Sequence, residues 1–90
     1  MEPSREEILQ IARDLGGEHV VEGVEEELDV DDFRSARIRL LGTVDARLER
    51  GVMKAPEASW FYERIGFSPE EAVSIRQNHA LGSGHKKTGA

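Results

Sequence analysis

Hydrophobic residues recur every three to four positions along most of this chain, the spacing that places them on one face of an α-helix. The longest such pattern lies between residues 31 and 50. Its apolar positions fall within a stripe about 140° wide on a helical wheel; they are Phe33, Ala36, Leu40, Leu41, Val44 and Leu48. At about 1.5 Å per residue this helix would be about 30 Å long, the width of a small domain. We therefore expect the other elements to pack around it.

The residues that flank this pattern favour the same boundaries. Asp29 or Asp31 is predicted as the N-cap, because a carboxylate there accepts a hydrogen bond from the free amides of the first turn. Arg50 and Gly51 are predicted to end the helix, since a cation suits the C-terminal dipole and glycine adopts the left-handed conformation that follows many helices.

Shorter helices are predicted on both sides of the central one. Ser4 and Glu7 have the spacing of a capping box, and the helix that they open is expected to reach Leu15, before two glycines. Pro56 suits the first turn of a helix that runs to Ile65. A second capping box opens a last helix to about His79; it consists of Ser68, Pro69, Glu70 and Glu71.

The segment Glu18–Leu28 allows two interpretations. Its four apolar residues share one helical face and its carboxylates face away from them. Gly23 and three valines weaken a helix, however, and positions 24, 26, 28 and 30 also fit the alternation of a strand. An isolated strand pair has little support in a helical chain, so we favour the helix.

The predicted fold class is therefore all-α, a compact bundle of four to five short helices packed around a long central helix at about 31–50. Residues 1–81 are expected to form a single helical domain. Residues 82–90 contain almost no apolar side chain to bury and are expected to form a disordered C-terminal tail.

Charge is divided unevenly along the chain. The formal net charge is −6, yet residues 1–32 carry twelve acids and two bases, whereas residues 33–90 carry ten bases and six acids. The two parts should attract each other or an oppositely charged partner. The overall acidity disfavours nucleic acid, since phosphates repel a compact domain of this charge.

The sequence contains no cysteine, which excludes disulfides and thiolate chemistry. No apolar run approaches the ~18 residues of a membrane span. The first four residues lack the basic and apolar regions of a signal peptide. We expect a cytoplasmic protein that does not contact a membrane.

The acidic stretch between residues 18 and 32 is the strongest compositional feature. Its pattern lacks the glycine and the later bidentate glutamate of a calcium loop, so a solvated helix face or an acidic patch for a basic partner explains it better. The predicted interface pairs carboxylates with arginines across the contact; the candidates are Glu22, Glu25, Glu26, Arg34 and Arg39.

Two arginines lie inside the apolar stripe of the central helix. Arg37 and Arg47 must either extend along the stripe to water or pair with carboxylates, and we predict buried ion pairs with the acidic segment 18–28. An anion-binding site is the alternative, but no glycine-rich loop accompanies the two arginines.

Four of the five aromatic residues crowd into positions 60–67. Phe61 and Tyr62 share the apolar face of their helix, and Trp60 points about 160° away from it. Trp60, with Tyr62 beside it, is a candidate interface anchor, because tryptophan and tyrosine dominate many interfaces. The alternative is that both faces of this helix are buried.

Residues 65–72 (Ile-Gly-Phe-Ser-Pro-Glu-Glu-Ala) resemble the stretch that leads into the first helix of many helix-turn-helix DNA-binding motifs. The resemblance implies a DNA-binding regulator, in which Arg76, Gln77, Asn78 and the two lysines of the tail would contact DNA. If the helix that Ser68 opens were itself the recognition helix, Glu70 and Glu71 would lie at the end that approaches the phosphates, and their charge would oppose binding.

No catalytic pattern is present. His19, His79 and His85 stand in neither a Glu-x-x-His nor a His-Glu-x-x-His frame, so no metal, cofactor or enzymatic activity is predicted. We interpret the chain as a protein–protein interaction or adaptor module that self-associates through charge-complementary surfaces. Its expected partner is a second copy of itself or another protein, and the alternative is the DNA-binding regulator.

Overall fold

The computed structural model describes residues 2–78, which form five helices and no strand. The first four helices are α1 (Arg5–Leu15), α2 (Glu18–Asp29), α3 (Phe33–Glu49) and α4 (Ala55–Ile65). A fifth helix, α5, covers residues 69–78. The predicted all-α fold class is confirmed, with α3 as the long central helix. The predicted tail at 82–90 and the predicted helix end near His79 lie outside the described residues.

Both predicted capping boxes are present. The Glu7 amide donates to Ser4 Oγ at 3.2 Å and the Ser4 amide donates to Glu7 Oε1 at 3.4 Å. The Glu71 amide donates to Ser68 Oγ and the Ser68 amide donates to Glu71 Oε1, both at 3.1 Å. The hydrogen bond from the Ser68 backbone, followed by one from the Ser68 side chain, lowers the pKa of Glu71. The boxes fix where α1 and α5 begin.

The start of α3 corrects one prediction. The N-cap is Asp32, which accepts the Ser35 amide at 3.0 Å, and not Asp29 or Asp31. Asp29 still belongs to α2, and Asp31 has a φ of +56° as the chain reverses between the helices. Because the turn uses Val30 and Asp31, the next carboxylate is the first that can cap α3. The predicted end is confirmed, with Arg50 at the C-cap and Gly51 at a φ of +76°.

Glu18–Asp29 is a helix, and the strand alternative for this segment is wrong. Val24 and Leu28 are fully buried against the other helices, because the helical spacing brings them to one face. Tertiary packing of that face outweighs the weak helix propensity of Gly23 and the valines.

The hydrophobic core consists of two clusters that share α3. The larger cluster joins α1, α2, α3 and α4, with Ile8, Val24, Leu40, Val44 and Ile65 fully buried at its centre. The smaller cluster joins Leu41 to Ala72 and Ile75 of α5. The predicted apolar stripe of α3 is therefore buried along its middle, and only its terminal members, Phe33 and Leu48, are exposed at 39% and 37%.

Candidate protein interface

Exposed carboxylates cover the outer face of α2. Glu22, Glu25 and Glu26 are all exposed, and none of them forms an ion pair with any residue from 2 to 78. Their spacing of three and four residues places them side by side on the helix. The structure thus brings three of the predicted interface residues together on one acidic surface, which we call the α2 acidic face.

Arg39 extends from α3 across α2 and pairs with Glu27 at 3.1 Å between Nη2 and Oε1. Its side chain lies over Gly23, where an added Cβ would come within 2.8 Å of Arg39 Cδ. A glycine inside this helix therefore has a physical reason, since it leaves room for the arginine. Arg39 is already engaged within the chain, although 44% of its side chain stays exposed.

Arg34, the other predicted cation, is exposed on a different flank of α3. Five residues separate it from Arg39, which places the two side chains about 140° apart around the helix. Its guanidinium carbon lies 5.8 Å from the centre of the Phe67 ring. The structure therefore does not bring Arg34 and Arg39 together on one cationic surface.

A groove of about 700 Å³ runs along the outward face of α3. Its floor includes Ile38, Gly42 and Ala46 of α3, and its sides are completed by Val20 of α2 and Ile75 of α5. Gly42 is open to the groove, because a Cβ added there would meet no atom within 4 Å. Four arginines also line the groove: Arg39, Arg47, Arg50 and Arg76. We call this surface the α3 groove.

The one carboxylate in the α3 groove is neutralised within the protein. Asp45 accepts two hydrogen bonds from Arg76, from Nε at 2.8 Å and from Nη2 at 2.9 Å, and a third from the Tyr62 hydroxyl. Burial raises the pKa of Asp45, but these hydrogen bonds outweigh it and hold the pKa below its usual value. The groove is therefore apolar at its floor and positive at its edges.

Tyr62 is half-buried and faces inward, so this predicted interface residue belongs to the junction between α3, α4 and α5. Burial, followed by the hydrogen bond to Asp45, raises the pKa of Tyr62 to about 12. The Arg76 guanidinium carbon lies 5.3 Å from the ring centre. The structure thus explains Tyr62 as a contact that holds α5 against α3.

Trp60 is 52% exposed on the outer face of α4, as the helical wheel predicts. Its ring contacts Phe61 edge to face, with the ring centres 4.9 Å apart, and the Arg64 guanidinium carbon lies 4.4 Å from its centre. Arg64 is in turn held by Asp14 of α1, with 2.8 Å between Nη1 and Oδ2. The indole is therefore fixed on one side and open on the other.

The predicted partners of Arg37 are wrong. Arg37 is buried, as its place in the stripe requires, but it pairs with no carboxylate of α2. Its Nε donates to the Ile65 carbonyl at 2.9 Å, its guanidinium carbon lies 4.1 Å from the Phe67 ring centre, and Nη1 lies 3.4 Å from the exposed Glu2. The main partner is thus the last carbonyl of α4.

The same correction applies to Arg47, which has no ion pair among residues 2–78. Its guanidinium donates to the Leu15 carbonyl and, at 2.7 Å, to the Gly16 carbonyl at the end of α1. The last carbonyls of a helix lack partners in that helix and carry partial negative charge. They therefore accept hydrogen bonds from a guanidinium that lies near the helix end.

Two structural features are absent from residues 2–78. No three potential metal-ligating side chains come together there, and no helix in that part of the chain combines the length and the apolar character that crossing a membrane requires. His19 is exposed at the start of α2. His79 and His85 lie outside the described residues.

The residues of the DNA-binding alternative are placed unfavourably for DNA. Arg76 is bound to Asp45 through one guanidinium edge, Nε and Nη2, and the exposed Glu70 and Glu71 stand at the start of α5. Gln77 and Asn78 are exposed, whereas the tail lysines lie outside the described residues.

Comparison of the chain with protein-family models, with curated proteins and with solved structures finds no match in any of the three.

The α3 groove is a candidate binding surface that the sequence pattern did not reveal. A partial signal was present, because Ile38 stands outside the apolar stripe among small residues such as Gly42 and Ala46. A helix with an apolar residue on its outer face and no bulky neighbours is a surface that another helix can approach. The walls of the groove come from α2 and α5, and their positions follow only from the tertiary structure.

Proposed function

We propose that this protein is a protein–protein interaction module that associates with a second copy of itself through oppositely charged surfaces. The observation that supports it best is the α2 acidic face, where Glu22, Glu25 and Glu26 have no ion-pair partner among residues 2–78. Clustered like charges repel one another, and an approaching cation relieves that repulsion.

The exposed Arg34 is the cation that we expect to meet the α2 acidic face of a second copy. It lies on another side of α3 from the acidic surface, so the two surfaces can meet only between molecules. Exposed ion pairs contribute about 0–1 kcal/mol each. The charged contacts therefore guide the association and select its orientation, and an apolar contact must supply most of its free energy.

The test is the absolute mass measured by light scattering during size-exclusion chromatography, at low and at high salt. We expect an associated species at low salt that dissociates as salt screens the charges. The variant Glu25→Lys/Glu26→Lys should weaken the association. The control Glu6→Lys/Glu70→Lys changes the net charge equally at two exposed positions outside α2 and should leave it intact.

Two results would contradict the proposal. One is a monomer at every concentration and salt. The other is an equal weakening of the association by Glu25→Lys/Glu26→Lys and by the control Glu6→Lys/Glu70→Lys, because net charge alone would then explain the effect. Circular dichroism of each variant verifies that it is folded.

A further inference from the structure

The α3 groove requires an occupant that is apolar in the middle and acidic at its edges. Its floor is apolar, and two of its four arginines, Arg47 and Arg50, have no paired carboxylate among residues 2–78, since Arg76 is bound to Asp45 and Arg39 to Glu27. This positive groove lies on a molecule whose net charge is −6. The complement of such a surface is a large apolar side chain with carboxylates beside it.

The outer face of α4 has this composition. Glu57, Trp60 and Glu63 are all exposed and follow one another at intervals of three residues, so they form one stripe with the indole at its centre. The contacts of Trp60 with Phe61 and Arg64 already hold the ring in place, which lowers the entropic cost of burying it against a partner. We call this surface the Trp60 face.

We propose that the α3 groove binds the Trp60 face of a second copy of this chain. The indole lies over Gly42 and Ala46, where the groove floor is open, while Glu57 and Glu63 face the arginines at its edges. This proposal rests on the self-association proposed above and names the apolar contact which that association needs.

The dimensions agree with this docking. The α3 groove extends from Ser35 to Arg50, about 22 Å at the rise of an α-helix, and the eleven residues of α4 span about 16 Å. Arg39 and Arg50 stand about 16 Å apart along the axis of α3. Arg50 is exposed, and Arg39 keeps 44% of its side chain exposed although it is paired with Glu27, so the two lie on either side of an indole that enters over Gly42.

Two other occupants within this chain fit less well. The α2 acidic face consists of the carboxylates Glu22, Glu25 and Glu26 and includes no large apolar side chain. It would therefore place charged groups against the apolar floor of the groove. The sequence after residue 78 contains Lys86 and Lys87 and no acid, so the arginines of the groove would repel it.

The proposal is tested by filling the groove and by removing the indole, with a matched control for each change. Gly42→Gln places a bulky side chain in the groove, whereas Gly42→Ala adds only a methyl group; both residues favour a helix more than glycine does. Trp60→Ala removes the indole, and Val73→Ala truncates another half-exposed apolar residue on α5. Sedimentation velocity over a range of concentrations measures the dissociation constant.

We expect Gly42→Gln and Trp60→Ala each to raise the dissociation constant by at least about tenfold, and both controls to change it less than about twofold. A mixture of the two disrupted variants must then form a one-to-one complex. The Trp60→Ala copy keeps its groove, and the Gly42→Gln copy keeps its indole. Each variant can bind in the mixture only if its own intact surface is folded. Recovery of the complex therefore excludes misfolding as the cause of the weaker association.

Different failures are distinguishable. If the wild-type chain never associates, both this proposal and the proposed function are wrong. If reversal of Glu25 and Glu26 weakens the association but Gly42→Gln and Trp60→Ala leave it unchanged, the proposed function stands and the groove does not bind the indole. Loss with Trp60→Ala alone would place the indole against a different surface and overturn the proposal.

Discussion

At the scale of single residues, Asp45 is a carboxylate at the junction of three helices. It accepts hydrogen bonds from Tyr62 and Arg76, and through them it joins the three helices α3, α4 and α5. Tyr62 must stay protonated to donate its bond, because a tyrosinate would place a second negative charge beside the carboxylate. This geometry explains why the pKa of Asp45 is lowered while that of Tyr62 is raised.

The ionisation of Tyr62 can be measured directly, because it is the only tyrosine in the chain. We expect tyrosinate absorbance to appear with a midpoint near 12 in the folded protein, and near the ordinary value of about 10 in urea. Asp45→Asn should lower the folded midpoint. A folded wild-type midpoint near 10 would contradict the hydrogen bond.

The two pKa shifts also give the direction of the pH dependence. The raised pKa of Tyr62 means that its contribution to stability is complete below about pH 10 and is lost as pH rises towards 12. The lowered pKa of Asp45 has the opposite effect, since its contribution is complete above about pH 4 and is lost as pH falls through the folded-state pKa. Urea unfolding across pH measures both.

At the scale of helices, three arginines close the C-terminal ends of helices other than their own. Arg37 donates to the last carbonyl of α4, Arg47 to the last carbonyls of α1, and Arg5 to the Leu28 carbonyl near the end of α2 at 3.0 Å. Each guanidinium supplies donors that the helix end lacks and complements the negative end of its dipole. Among these three, Arg37 is the most buried.

Arg37→Ala is therefore expected to destabilise the protein by about 2–4 kcal/mol, because it leaves the Ile65 carbonyl without its donor and removes the cation from the Phe67 ring. Arg34→Ala on the same helix is the control, and we expect it to cost less than about 0.5 kcal/mol, since its side chain is exposed. Urea unfolding gives both values. If the two variants lose the same free energy of unfolding, the buried hydrogen bond of Arg37 does not stabilise the fold as we expect.

Helix positions and most caps followed from the sequence, whereas the partners of the buried arginines did not. The spacing of Ser4 and Glu7, or of Ser68 and Glu71, is a local signal, because both members of each box lie within one turn. A helical wheel likewise places Arg37 and Arg47 on the buried face of α3. It cannot show that the ends of α4 and α1 reach those positions, since that depends on how the helices cross.

At the scale of the whole molecule, the two surfaces of the proposed interface are separate. The α3 groove is lined by residues of α2, α3, α5 and Arg50, with none from α1 or α4, whereas the Trp60 face belongs to α4 and is supported by Asp14 of α1. A contact between two different surfaces is heterologous, so each bound pair leaves one groove and one indole free. The sequence indicates the outward Trp60, but the α3 groove and its separation from the Trp60 face follow only from the folded structure.

We therefore expect association to continue beyond a dimer, as a closed ring or as an open series whose mean mass rises with concentration. Light scattering at increasing protein concentration distinguishes the two, because a ring gives a plateau at a fixed number of copies. A plateau at two copies with both surfaces buried would contradict the head-to-tail arrangement.

The arginines that close helix ends have a further consequence for how the chain unfolds. The end of α1 needs a donor from α3, the end of α4 needs another from α3, and the end of α2 needs Arg5 at the start of α1. A helix that detached alone would break at least one of these hydrogen bonds as well as its apolar packing, which couples the opening of each helix to that of its neighbours. We therefore expect the four helices α1 to α4 to unfold as one cooperative unit, and α1, α2 and α4 are each short enough to be unstable in isolation.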